Sequence, residues 1–224
     1  MKSLNAQLVA FKSSVFDRAD GETAQALRQL EADARAETAR STSLTVGDPA
    51  PDFTLVDDAG KMHHLASYLS QGPVFVLFFK GGWCPYSSLT LRAWEDIADK
   101  VRKSGGQLLA ISPQKASRAA LVRESNGVSF PVLADCGNRV AEAFGVAAQA
   151  KPIAREILAK MGCDLPAEND GDVWSLPRAS EFLIGSDGII RIAHVSPVYF
   201  ERHEPREGLE ALRRAKAESL AHAE

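Results

Sequence analysis

Blocks of apolar and polar residues alternate along the chain and predict strands and helices in turn. Six consecutive apolar residues at 74–79, half of them aromatic, are typical of a strand buried on both faces. After a short loop, Pro85 opens a segment in which Leu91, Trp94 and Ile97 recur at helical spacing. Strands that alternate with helices in this way indicate an α/β sheet with a parallel part and helices on both faces.

The same pattern extends through the rest of the chain and includes a hairpin. Two apolar runs at 181–184 and 189–195 flank the turn Ser186-Asp187-Gly188, which is typical of antiparallel strands. The stretch at 163–179 has no clear periodicity and is predicted to be a long loop. The other predicted strands lie at 53–56, 108–111 and 130–134, and the other predicted helices at 65–69, 116–126, 138–144, 152–161 and about 205–220.

The first 43 residues differ in their pattern of apolar and polar positions from the rest of the chain, and this pattern predicts two helices. Leu4, Leu8, Phe11 and Val15 recur at helical spacing in the first. The second, at 22–40, is more polar and has a thin apolar face of Leu27, Leu30 and Ala34. We therefore divide the chain into a helical extension, 1–43, and an α/β domain, 44–224. The extension either packs on that domain or reaches a second subunit.

Composition excludes several classes of protein. The chain has 224 residues with 29 acidic and 26 basic side chains and no basic stripe, which argues against a nucleic-acid partner. No apolar run approaches the ~18 residues of a membrane span, and the N-terminus lacks the apolar core of a secretory signal. The odd count of three cysteines favours a reducing, cytoplasmic location.

The most informative stretch is Trp83-Cys84-Pro85-Tyr86, between the buried strand and the helix. Cys84 ends a loop at the C-terminal end of a strand, where open α/β sheets tend to place reactive groups. Unpaired N–H groups and the helix dipole favour an anion at that point, and a thiolate is an anion. Ser87 lies one helical turn further on, within plausible reach of the sulfur. We therefore predict that Cys84 is reactive.

Several separate motifs together resemble one family. They are VGDPAPDF at 46–53, GGWCPY at 81–86, AISPQ at 110–114, FPVL at 130–133 and the loop at 169–177. On these motifs the chain from 45 to 212 is similar to the peroxiredoxin-like branch of the alkyl hydroperoxide reductase/thiol-specific antioxidant (AhpC/TSA) family, and the N-terminal helices are similar to that branch too. The resemblance implies a thioredoxin-like fold, with a central mixed sheet and helices on both faces, an antioxidant activity and a homodimer.

The chain also departs from that family. The family's site usually reads Cys-Pro-Tyr-Cys, whereas Ser87 stands at the fourth position here. Ala179 occupies the place where such folds have a cis-proline, and Glu181 the place of a small hydroxyl residue. The Pro-x-x-x-Thr-x-x-Cys signature of true peroxiredoxins is absent, because its first positions are Leu77 and Gly81.

These departures define the expected chemistry. Attack of Cys84 on a peroxide gives a sulfenic acid, and attack on a disulfide gives a mixed disulfide. Without a second cysteine in the motif, an external thiol must resolve either product, namely thioredoxin, glutaredoxin or a low-molecular-weight thiol. Cys136 and Cys163 are alternative resolving groups, although buried structural roles are the ordinary expectation for both. Ser87 could also be an engineered replacement of cysteine.

Two further classes of function stay open at this point. Loss of the second cysteine and of the cis-proline could mark a binding protein or adaptor on a thioredoxin-like scaffold. Alternatively, a non-redox enzyme could use Cys84 as a covalent nucleophile, with Glu181 as a base if it faces the pocket, although a solvated carboxylate at the strand end is the simpler interpretation. A Cys-Pro-Tyr-Ser run also resembles glutaredoxins that hold an iron–sulfur cluster, but the rest of the chain does not, so no cofactor is expected.

A set of residues is predicted to surround Cys84 and Ser87, the two catalytic candidates. Arg92 could support a thiolate, and Asp172 and Trp174 could form a lid. No metal is expected, since His63, His64 and His194 match no ligand spacing. The predicted pocket residues are Trp83, Pro85, Tyr86, Arg92, Trp174, Ala179 and Glu181.

Overall fold

In this computed structural model the structure describes residues 3–160, 162–169 and 174–221, with side chains described to residue 215. Asp172, predicted to belong to a lid, lies outside the described residues, as does Met161 at the end of a predicted helix. The helices are α1 (Leu4–Phe16), α2 (Gly21–Ala39), α3 (Leu65–Leu69), α4 (Pro85–Lys103), α5 (Ala116–Asn126), α6 (Arg139–Ala143), α7 (Pro152–Lys160), α8 (Leu165–Glu168) and α9 (Pro205–Ala221). The strands are β1 (Thr54–Val56), β2 (Met62–His64), β3 (Val74–Phe78), β4 (Gln107–Ser112), β5 (Val132–Ala134), β6 (Ala147–Gln149), β7 (Ser175–Pro177), β8 (Ser180–Ile184) and β9 (Ile190–Val195).

A mixed seven-stranded sheet forms the centre of the molecule. Its strand order is β2-β1-β5-β4-β3-β8-β9, with β3, β4 and β5 parallel and the outer strands antiparallel. The hairpin of β8 and β9 joins the sheet through β3. The predicted α/β class, the mixed sheet and the terminal hairpin are therefore confirmed.

The predicted loop at 163–179 is wrong in part. It contains α8 and β7, and β7 pairs with β6 in a separate two-stranded sheet. The side chain of Asp164 caps α8 by accepting a hydrogen bond from Ala167 N at 3.2 Å. Elements of three or four residues are too short to show a periodic pattern, which is why the sequence did not reveal them.

Alternation along β3 places its side chains in two cores, one on each face of the sheet. Phe75 and Leu77 lie in one core with Trp94 of α4, and the rings of Phe75 and Trp94 are 4.8 Å apart. Phe78 lies in the other core with Phe144, which follows α6. The six-residue apolar run thus fills both sides of the sheet, as a fully buried strand requires.

Helix α1 is fixed directly to the α/β domain. The carboxylate of Glu204 accepts hydrogen bonds from the first backbone amides of α1, Leu4 N at 3.0 Å and Asn5 N at 2.9 Å. The side chain of Asn5 also bonds both backbone groups of Arg202, at 2.8 and 2.9 Å. Leu8 is buried in the same apolar cluster as Cys84. These contacts match the first expectation for the extension, that it packs on the domain.

The loop that carries Cys84 depends on a glycine. Gly81 has φ +147°, and a Cβ there would lie 2.5 Å from Trp83 Nε1 because the indole folds back over the loop. The next residue, Gly82, donates its N–H to Gln114 Oε1 at 2.7 Å, which ties the loop to the end of β4. The conformation of this loop sets where Cys84 enters α4.

We predict that Gly81→Ala lowers the free energy of unfolding by about 1–3 kcal/mol, because its φ lies in a region that side chains rarely adopt. Chemical denaturation followed by circular dichroism measures the change. Gly21→Ala is the control. Gly21 is the first residue of α2, and a Cβ added there would have no atom within 4 Å. We therefore expect this variant to lose no stability. Equal effects at both positions would contradict the role assigned to Gly81.

Candidate functional site

Cys84 is the N-cap residue of α4. Its backbone is extended (φ −94°, ψ 112°), its carbonyl accepts from Ser88 N at 3.1 Å, and Pro85 fills the first helical position. The side chain is only 6% exposed. The sulfur is therefore nearly buried beside the positive end of a 19-residue helix.

A cavity of about 270 Å³ opens against Cys84. Four of the predicted pocket residues line it together with the cysteine: Trp83, Pro85, Tyr86 and Ala179. Further parts of its wall come from segments that the sequence did not associate with the site, namely α1, α2, α7, β6 and the segment after β9. The cysteine thus borders a largely apolar, partly open cavity.

Two basic side chains lie near the sulfur. Lys80 precedes the glycine loop and lines the cavity, and Arg202 follows β9 and is 5% exposed. Burial lowers the pKa of both side chains, while the charge of Cys84 acts on each in the opposite direction. Both side chains therefore interact electrostatically with a charge on Cys84.

Sequence reasoning missed both basic residues. Lys80 directly precedes the glycines of the motif, and that adjacency was a usable signal. Arg202 lies in an irregular segment with no motif, and only the return of the chain beside α1 brings it to the site.

Glu181 is buried. The expectation that it is a solvated carboxylate at the end of a strand is therefore wrong. It sits on β8 between Leu77 of β3 and His194 of β9 and is 2% exposed. Burial raises the pKa of the Glu181 carboxyl to about 7, although nearby Arg202 acts to lower it. Its Oε2 atom has no hydrogen-bond partner among the described residues. Glu181 shares the buried charged region with Arg202 but does not line the cavity.

The expected hydrogen bond from Ser87 to the cysteine is not formed. Ser87 is 1% exposed, and its Oγ has no partner in the described part of the chain. Ser87 lies on the first turn of α4, and its side chain is buried within the protein.

Arg92 lies away from the site, which corrects the expectation that it supports a thiolate. It is exposed and donates to Asn126 Oδ1 at 3.2 Å, at the end of α5. A helix advances about 1.5 Å and turns about 100° per residue, so eight residues move a side chain about 12 Å and rotate it by about 80°. Arg92 therefore lies about two turns along α4 from Cys84 but on a different side of the helix.

Trp174 is also not part of the described cavity wall. Its ring lies under the guanidinium of Arg155 on α7, 4.6 Å from the ring centroid, and its carbonyl accepts from Ala150 N at 2.8 Å. Trp174 therefore supports α7, which does line the cavity, rather than the cysteine itself.

The other two cysteines have different environments. Cys136 is exposed on the loop after β5, whereas Cys163 is half-buried between α7 and α8. Burial raises the pKa of the Cys163 thiol to about 11, with further contributions from the charges of Glu168 and Cys84. The Cys163 thiol is therefore a poor nucleophile at neutral pH.

Among the described residues, no group of histidine, cysteine and carboxylate side chains is arranged to hold a metal. His63, one of the three histidines considered, instead bonds Asp57 Oδ2 at 2.9 Å and the hydroxyl of Tyr68. In the same residues no helix has the length and apolar character to cross a bilayer.

Solved structures with the same fold include a peroxidoxin. The crystal structure of the peroxidoxin BcpB from Mycobacterium tuberculosis superposes with a TM-score of 0.61 at 22% identity and covers 76% of this chain and 97% of its own. That similarity supports the thioredoxin-like α/β fold predicted from the motifs.

Comparison of sequences gives the family. Peroxiredoxin Bcp of Escherichia coli (strain K12) is 31% identical over 103 residues, which are 46% of this chain and 65% of that protein. The thiol-disulfide oxidoreductase ResA of Geobacillus thermodenitrificans is 31% identical over 106 residues, 47% of this chain and 60% of its own length. The model of the AhpC/TSA family matches residues 46–193. With well over half of its length matched, including the Cys84 loop, α4 and the sheet, this chain belongs to the AhpC/TSA family.

Proposed function

We propose that this protein is a thiol-dependent oxidoreductase that reduces a peroxide through Cys84 and is returned to its starting state by an external thiol. The observation that carries the proposal is the position of Cys84. Its sulfur lies at the N-terminus of α4, on the wall of a cavity, with Lys80 and Arg202 near it.

The arrangement supports formation of the thiolate. A lysine whose pKa is lowered by burial is a suitable acceptor for the thiol proton, and the ammonium group that results would attract the thiolate. Arg202 cannot lose its proton under ordinary conditions and supplies a permanent positive charge. The dipole of α4 acts in the same direction.

The proposed reaction is a displacement at oxygen. The Cys84 thiolate attacks the terminal oxygen of a hydroperoxide, the O–O bond breaks, and the products are the Cys84 sulfenic acid and an alkoxide, which takes up a proton to become an alcohol. Trp83 and Ser196 line the cavity, and Trp83 Nε1 and Ser196 Oγ are buried without hydrogen-bond partners among the described residues.

An external thiol then closes the cycle. It attacks the sulfenic sulfur with release of water, and a second thiol reduces the mixed disulfide and regenerates Cys84. Ser87 stands where a second cysteine of the motif would be, so the motif itself cannot form a disulfide. Disulfide reduction is a second candidate activity, favoured by the similarity to ResA, and it would use the same thiolate.

The first test is to trap the intermediate. After a stoichiometric pulse of hydrogen peroxide in the presence of dimedone, we expect a dimedone adduct on Cys84 by intact-mass spectrometry and peptide mapping. The adduct should be absent in Cys84→Ala and present in Cys136→Ser. If folded wild-type protein leaves Cys84 unmodified, the peroxide proposal fails, and a mixed disulfide with a model disulfide substrate becomes the next measurement.

The basic residue in the cavity gives a second prediction. Lys80→Met removes the proton acceptor near the sulfur, and we expect the second-order rate constant with hydrogen peroxide to fall by at least about tenfold. Stopped-flow tryptophan fluorescence measures this rate, since Trp83 adjoins the cysteine. Lys103→Met, at the exposed opposite end of α4, is the matched control and should leave the rate unchanged. A Lys80→Met rate equal to that of wild type would remove Lys80 from the mechanism.

The remaining cysteines give a third prediction. Because Cys163 has a raised pKa and Cys136 is exposed elsewhere, we expect Cys163→Ser and Cys136→Ser to keep peroxidase turnover with an external thiol. Non-reducing peptide mapping after peroxide treatment without added thiol checks the same point. A disulfide between Cys84 and Cys163, together with loss of turnover in Cys163→Ser, would instead show an internal resolving cysteine.

A further inference from the structure

One peptide group in the Cys84 loop is held at both of its polar atoms. This group joins Gly81 to Gly82. Its N–H donates to Gln114 Oε1 at 2.7 Å, and its carbonyl accepts from Cys84 N at 3.1 Å. Because the N–H and C=O of a trans peptide point in opposite directions, both bonds form together in only one orientation of this group. The backbone of Cys84 is therefore tied, through a single peptide plane, to a side chain just beyond the end of β4.

The residues on either side of that peptide group have no Cβ to oppose its rotation. Glycine adopts backbone angles that other residues avoid, so a peptide between two glycines turns over more easily than most. In the reversed orientation its carbonyl would face Gln114 Oε1, and its N–H would face the N–H of Cys84. Both hydrogen bonds would be replaced by repulsion between like groups. The bond from Gly82 to Gln114 thus selects the orientation that the structure shows.

A carboxylate fixes the orientation of the Gln114 side chain in turn. Gln114 Nε2 donates to Glu168 Oε2 on α8 at 2.7 Å, and Gln114 is buried. A side-chain amide donates at one end and accepts at the other, whereas a carboxylate only accepts. Glu168 therefore holds the NH₂ end of the amide and leaves its oxygen toward Gly82. An amide turned the other way would set its NH₂ against the N–H of Gly82 and its oxygen against the carboxylate.

Two further contacts surround Glu168. Its backbone carbonyl accepts from Lys115 N at 3.2 Å, which holds α8 beside the residue that follows Gln114. Its other carboxylate oxygen, Oε1, pairs at 3.1 Å with Arg118 of α5, whose side chain is 40% exposed. Exposed ion pairs contribute little to stability, so the backbone contact is the one that places α8. The order of contacts from α8 to the cysteine is Glu168, Gln114, the peptide group and Cys84.

We infer that Gln114 is a positioning residue for Cys84, and that Glu168 acts through it by fixing the orientation of its amide. This inference rests on the proposed reaction at Cys84, because it concerns how that sulfur is placed. Gln114 ends the motif AISPQ, to which the proposed reaction assigns no role. Neither Gln114 nor Glu168 is among the described residues that line the cavity. Both would therefore act by holding the loop and not by contact with the substrate.

Three methionine substitutions separate these contacts from the ion pair beside them. Gln114→Met removes both side-chain hydrogen bonds, and Glu168→Met removes the acceptor of the Gln114 amide. Arg118→Met is the matched control, because it breaks the same ion pair as Glu168→Met but leaves that acceptor in place. By NMR of the reduced full-length protein, we expect the amide hydrogens of Gly82 and Cys84 to exchange at least about tenfold faster in the first two variants. Exchange in Arg118→Met should stay within about twofold of wild type.

The rate of the proposed reaction shows whether this placement matters to Cys84. We expect the second-order rate constant with hydrogen peroxide to fall by at least about tenfold in Gln114→Met and in Glu168→Met, because the sulfur is no longer held in place. The double variant should react no more slowly than Gln114→Met alone, since Glu168 acts only through Gln114. Additive losses in the double variant would overturn the role given to Glu168.

Circular dichroism with thermal melting establishes that each variant is folded. Glu168→Met, at a partly exposed position, covers a folding defect caused by the change at buried Gln114. Wild-type exchange or a wild-type rate in a folded Gln114→Met variant would overturn the inference and leave the peroxidase proposal standing. Faster exchange in that variant, together with no reaction of wild-type Cys84 with peroxide, would uphold the hold on the loop and overturn the peroxidase proposal.

Discussion

The packing of two basic side chains near one sulfur is the constraint on which the rest of the site depends. Removing Lys80 and Arg202 from water is costly, as the lowered pKa of each side chain shows. The cost is offset by acceptors that the fold brings close. Arg202 donates to the carbonyls of Val198 at 3.3 Å and Glu201 at 2.5 Å, and the buried carboxyl of Glu181 acts on the same group. A negative charge on Cys84 would add to that compensation.

The N-terminal extension connects this charged region to the cavity. Asn5 on α1 holds both backbone groups of Arg202, and Glu204 two residues later caps the start of α1. The same helix presents Phe11 to the cavity and to the ring of Tyr86, 5.1 Å away. The segment that positions the arginine therefore also encloses the cysteine. A change that loosened α1 would alter the charge near the sulfur and the shape of the cavity together.

The parts of the structure that could be read from the sequence are those where one residue pattern determines one local structure. The apolar run of β3 and the proline-led, amphipathic α4 predicted the strand, the helix and the place of Cys84 between them. Lys80 could have been inferred from its position beside the glycines. Arg202, Ser196 and the walls from α2 and α7 could not, since they reach the cysteine only through tertiary packing across long separations in sequence.

The wrong predictions for Arg92 and Glu181 each have a simple physical cause. Arg92 was expected to support a thiolate, whereas the periodicity of α4 rotates it toward α5. Glu181 was expected to be solvated because carboxylates usually are. Its neighbours on β3 and β9 instead leave it 2% exposed, in the face of the sheet beneath α4. A charged residue within an apolar strand does not reveal from sequence alone which strands will flank it.

Enclosure of the cysteine also bears on the thiol that completes the proposed cycle. Cys84 is 6% exposed, and its cavity is walled by α1, α2 and α7. On the proposed function, the resolving thiol must bring its own sulfur up to the Cys84 sulfur. A small thiol needs only the space that the substrate has left, whereas a protein thiol must first approach a cysteine that is 6% exposed. The low exposure of Cys84 is therefore a constraint that any thiol completing the cycle must meet.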